Sequence, residues 1–72
     1  MSITVRMVSG RKMRDSRITA GLNMMELAEI VGVDHTAISH FESGRRTPSV
    51  NVFANIASAV NVPMDELMEE QL

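Results

Sequence analysis

Residues 21–49 read GLNMMELAEIVGVDHTAISHFESGRRTPS, two short apolar-patterned segments parted by a glycine and an aspartate. Asn23 is placed to cap the first, and Glu26, three residues on, can reach back to the cap amide to complete a capping box. Leu22 and Leu27 stand at the two hydrophobic-staple positions beside it. Leu27, Ala28 and Val31 then supply a buried stripe, and Gly32 stops the helix. Asp34 is expected to cap a further helix from His35 to about Ser43. Only about three residues separate the two helices, which leaves room for a tight turn and nothing else.

On a wheel of about 100° per residue, Ala37, Ile38 and Phe41 share one side of the second helix. His35, Thr36, Ser39, His40 and Ser43 form a contiguous polar side opposite them. Each is a hydrogen-bonding side chain of short or medium reach, and none is a carboxylate. Such a face suits the mixed donors and acceptors of base edges in a DNA major groove. Glu42 lies at the boundary of the two sides, placed to turn inward.

Working outward, residues 1–8 alternate, with Ile3, Val5 and Met7 on one side, as an extended arm or short strand does. Ser9 to Ala20 is strongly basic and helical in character, ending at Gly21; its apolar face is Met13, Ala20 and the stem of Arg17. After the loop GRRTP, Ser49 is expected to cap a helix whose Phe53, Ile56, Ala57 and Val60 keep helical spacing. Beyond Asn61 and Pro63 the pattern predicts a fifth short helix from Met64, with Asp65 and Glu66 favouring its dipole. Its stripe of Met64, Leu67, Met68 and Leu72 is either the last wall of the core or half of a dimer contact. Met7, Met13, Met24, Met25, Met64 and Met68 are expected to fill space in a core poor in aromatics.

The 72 residues fit one small domain, helped by tight helix packing or oligomerisation. With no cysteine there are no disulfides, thiolate nucleophiles or cysteine zinc sites, which fits a reducing compartment. His35 and His40, five apart on a helix, point away from each other and lack the i, i+4 relation of paired metal ligands. A chain with no Cys, Tyr or Trp has little from which to build a catalytic pocket, so neither an enzyme nor a cofactor or metal site is expected. No apolar run approaches the roughly 20 residues of a membrane span, and a signal-peptide pattern is missing, so a soluble, cytoplasmic protein is expected. Net charge is −2, but residues 1–23 carry five basic side chains against one acidic, and Arg45 and Arg46 follow an acidic stretch. What attracts a polyanion is the face presented to it, not the total.

The stretch resembles the helix-turn-helix of the Cro and phage-repressor (XRE) family, whose pattern runs G-L-[ST/N]-Q-x-E-L-A-x-x-x-G-V-x-x-x-x-I-S-x-x-E-x-G-x-R-x-P-S. The likeness extends from about Met13 to Leu67 and takes in the closing V-x-x-D-E-L as Val62, Asp65, Glu66 and Leu67. Ala28, Gly32 and Ile38 match the positions that set the crossing of the two helices. The resemblance, with the helices read above, implies an all-α, five-helix repressor-type domain over residues 9–72 with the helix-turn-helix at about 24–43; residues 1–8 lie outside it and are expected to form an N-terminal extended arm. It implies base reading by His35, Thr36, Ser39 and His40. Phosphate contacts fall to Asn23 and Met24 at the start of one helix and to Ser43, Arg45 and Arg46 at the end of the next, with Arg11 and Arg14 as secondary contacts. Arg17 and Glu42 take positions that form an inward ion pair in several relatives. Two departures stand out: Met24 replaces the usual glutamine, and the reading face lacks the glutamine, asparagine or arginine of bidentate base contacts.

The expectation is a sequence-specific transcriptional regulator, repressor-like, that binds a palindromic operator as a homodimer. Its partners are double-stranded DNA and a second copy, with the arm packing between subunits. The domain fills the chain, so control is expected through concentration, dimerisation or another protein. The rival reading is a protein-interaction module, such as a toxin-binding antitoxin or phage adaptor, that uses the fold as a scaffold.

Overall fold

The computed structural model describes residues 5–71. Strand β1 (Val5–Val8) leads into helices α1 (Gly10–Thr19), α2 (Met24–Val31), α3 (His35–Ser43) and α4 (Val50–Ala59), then a 3-10 turn (Met64–Leu67) and strand β2 (Met68–Gln71). The expected fifth helix is therefore absent: four α-helices and a two-stranded sheet make the domain. An isolated turn of helix is costly to nucleate, and the alternating β1 offers the segment a ladder instead. The strands pair antiparallel, Val8 opposite Met68, Met7 opposite Glu69, Arg6 opposite Glu70 and Val5 opposite Gln71. The expected N-terminal arm is thus half of this sheet from Val5 onward. Ile3, Leu72 and the side chain of Val5 lie outside the described residues.

The helix boundaries follow their caps. Asn23 Oδ1 accepts from the Glu26 amide at 2.8 Å while Glu26 Oε1 accepts from the Asn23 amide at 2.9 Å, the full capping box. Gly32, with φ +82°, closes α2 and turns the chain into α3 within three residues. Ser9 Oγ and Ser49 Oγ accept from the Lys12 and Val52 amides to cap α1 and α4. Asp34 departs from expectation: it holds the cap position of α3 without a side-chain capping bond. Its carboxylate instead lies 3.6 Å from His35 Nδ1.

One core joins all four helices and the 3-10 turn, with Met13, Leu27, Ile38, Ile56 and Leu67 fully enclosed. Leu67 is 0% exposed, so it belongs to the monomer core and not to a dimer contact. Met68 packs against that core, whereas Met64 is 41% exposed. The expectation that methionines fill the core holds for Met13, Met24 and Met68 and fails for Met7, Met25 and Met64, which are exposed. Ala20 is exposed too, leaving Met13 and Arg17 as the buried residues of α1.

Two close approaches fix α1. The Ser9 amide donates to Leu67 O at 2.8 Å, tying the β1–α1 corner to the 3-10 turn. At Gly10 the helix start runs onto the end of α3, where an added Cβ would stand 2.4 Å from Glu42 O and 2.5 Å from Phe41 O. Only glycine fits there.

Candidate nucleic-acid interface

The inward side of α3 comes first, because it aims the outward side. Ala37, Ile38 and Phe41 are buried, and Glu42 is held beneath them by Arg17 of α1. Arg17 Nε donates to Glu42 Oε2 at 2.7 Å and Nη2 to Oε1 at 3.1 Å, while Nη1 donates to Leu22 O at 2.9 Å. Every carboxylate oxygen is engaged and the guanidinium donates in three directions, so the pair is satisfied as well as buried. The hydrogen bonds to Glu42 hold the Arg17 guanidinium above its ordinary pKa; burial opposes this and the charge of Glu42 adds to it. A raised arginine contributes stability that is lost only as pH rises past the arginine range, so this contribution is constant through neutral pH.

That clamp leaves His35, Thr36, Ser39 and Ser43 exposed along the opposite side of α3, with His40 half-buried beside them. Gly44, at φ +80°, ends the helix. The carbonyl of His40 then accepts from the amides of Arg45 (2.9 Å) and Arg46 (3.2 Å) and from Ser43 Oγ (3.3 Å). The backbone carrying both arginines is thereby pinned to the helix end. The Arg46 guanidinium lies 5.6 Å from the centre of the Phe41 ring, within cation–π range.

Folding also does what the sequence left open with its separated basic blocks. Arg14 of α1, Met24 of α2, and Ser39, Glu42 and Ser43 of α3 line one open cleft of about 220 Å³. Glu42 is already neutralised by Arg17, so the uncompensated charge at this cleft is positive. Among the described residues Arg11, Arg14, Arg45 and Arg46 form no salt bridge, while Arg6 is paired with Asp65 and Lys12 Nζ donates to Met68 O at 2.7 Å. Of these, Arg14 lines the cleft beside α3 and Arg45 and Arg46 follow its end, while Glu69 and Glu70, which form no salt bridge among the described residues, lie on β2.

Sequence reasoning ranked Arg14 as secondary, yet the fold places it beside Ser39 and Ser43. The signal was its spacing: Arg14 is one turn before Arg17, the residue that faces α3. Asn23 has its carbonyl oxygen committed to the cap, leaving its side-chain amide to donate outward. Met24 is half-buried against the core and forms the apolar wall of the cleft.

Comparison with known proteins agrees with this geometry. The helix-turn-helix family model matches residues 13–67. An uncharacterized HTH-type transcriptional regulator of Mycobacterium tuberculosis is 40% identical over 58 residues, which is 81% of this chain and 41% of that protein. The chain thus spans less than half the length of that relative. The restriction-modification controller protein C.AhdI from Aeromonas hydrophila superposes with a TM-score of 0.76 at 29% identity, covering 81% of this chain and 88% of that one. SinR, a master regulator for biofilm formation solved in complex with DNA, gives a TM-score of 0.75 at 27% identity over 81% and 97% of the two chains. The matched family model, with these relatives and the capped α2–turn–α3 unit, establishes that the chain belongs to the helix-turn-helix family of the Cro and phage-repressor (XRE) type.

Proposed function

We propose that the protein is a transcriptional regulator that reads double-stranded DNA with α3 in the major groove. The observation that carries this is the outer side of α3, a carboxylate-free row of His35, Thr36, Ser39 and His40 bordered by the unpaired Arg14, Arg45 and Arg46. Base edges meet the row; phosphates meet the border, Ser43 and the free amide of Asn23. Met24 cannot anchor a phosphate as glutamine does. Arg14, across the same cleft, supplies a charged phosphate contact in its place.

The protein binds as a homodimer on an inverted repeat whose half-sites lie about one helical turn apart, roughly 34–36 Å. The regulator named among its relatives, and the DNA in the SinR structure, support the same reading.

Selection of sites from a random duplex pool, followed by salt titration of the winner, tests it. An enriched inverted repeat is expected, with log affinity falling by about 0.9 per phosphate contact for each unit of log salt. Arg14→Ala and Arg46→Ala each flatten that slope by about one contact. A folded protein that enriches nothing refutes the DNA reading and shifts the function to a protein partner.

A further inference from the structure

The two-stranded sheet leaves one unpaired edge on each strand, and no other strand occurs among the described residues. Such edges are ready templates for a further strand. The two differ in what a second copy of the chain would meet. An edge paired with its own copy about a two-fold axis runs antiparallel, and the axis, normal to the sheet, sets one residue opposite itself. On β2 the central registers set either Glu69 or Glu70 opposite its own copy, like charges in direct opposition. On β1 the single charge, Arg6, is answered within the chain: its guanidinium bonds the Asp65 carboxylate, and Nη2 donates to Asp65 O at 3.1 Å. Pairing β1 with the β2 of another copy is head-to-tail and generates a ring or a filament, not a two-fold dimer.

We propose that β1 is the dimer edge, joining two copies in a continuous four-stranded antiparallel sheet with Met7 on the two-fold axis. The register follows from charge. Of the two central self-pairings of Val5–Val8, one opposes Arg6 to Arg6 and the other opposes Met7 to Met7, with Arg6 facing Val8 of the second copy. The second avoids the like pair and covers a methionine that is 46% exposed on the single chain. Because the axis is normal to the sheet, both helical bodies fall on the same face of it. This rests on the homodimer reading above and names its surface.

A cysteine-free chain makes the test direct. Residues opposed across an antiparallel pair stand about 4.5–5.5 Å apart at Cα, within the span of roughly 4.4–6.8 Å that a disulfide bridges. Met7→Cys, mildly oxidised without DNA, is expected to run mainly as a covalent dimer, while Glu69→Cys stays largely single. Met7→Lys, at an exposed site, is expected to halve the solution mass with helix content unchanged. Equal cross-linking at the two positions, a Met7→Lys protein that keeps the dimer mass, or a wild-type chain that is monomeric at millimolar concentration would each overturn the proposal. Since no DNA is present, failure here leaves the groove-reading assignment to its own experiment.

Discussion

The two sides of α3 are built on opposite terms. Inward, Ala37, Ile38, Phe41 and Glu42 are committed to α1 and the core, with an ion pair and a glycine contact that admit no slack. Outward, His35, Thr36 and Ser39 are exposed, and none of their side chains hydrogen-bonds another residue among those described. The helix is held by one side so that the other stays unspent. Damage to the first should appear as lost stability, and damage to the second as lost affinity in a protein that melts normally.

The largest effect should come from splitting the ion pair. Arg17→Met strands a buried carboxylate and is expected to cost about 3–5 kcal/mol, while Arg17→Met with Glu42→Leu recovers much of it. Denaturant midpoints decide; a double variant no better than the single would show that the pair, not the stranded charge, carries the stability. Next is Gly10→Ala, where the overlap with two carbonyl oxygens predicts a loss of about 1–3 kcal/mol. Ser49→Ala, which removes the α4 cap, should cost about 1 kcal/mol. Smallest in stability are Ser39→Ala and Thr36→Ala, within about 0.5 kcal/mol of wild type, yet each should weaken operator binding several-fold. If either melted as early as Gly10→Ala, the division between the sides of α3 would fail.

A pH series sharpens the same contrast. Arg17 does not titrate through neutral pH, so its contribution to stability should not change between pH 6 and 8. The part of the melting temperature that the clamp supplies should therefore not move across this interval.

The helix-turn-helix was legible because its signals are local. Asn23, Glu26, Gly32 and Ser49 declare caps and stops within three or four residues of where they act, and the apolar spacing of Phe53, Ile56, Ala57 and Val60 is visible without a partner. The inward turn of Glu42 was legible from its place on the wheel, and its partner Arg17 from the family pattern. What escaped was non-local. Met64 to Met68 carry helical spacing, and only β1, far away in the chain, converts the end of that segment into a strand. Gly10 looked like any glycine because its reason, the backbone of Phe41 and Glu42, lies across the fold. Asp34 has a capping residue's identity, but its carboxylate turned toward His35.

Because Val5–Val8 pair with Met68–Gln71, the sheet joins segments separated by almost the entire described chain. Closing so large a loop is entropically expensive and is rewarded only after the helices have condensed. The sheet should therefore be last to assemble and first to open, its amides exchanging with solvent sooner than those of α2 and α3. A subunit contact made through β1 would inherit that order: association would follow folding, and local fraying at the ends would release the partner without disturbing α3.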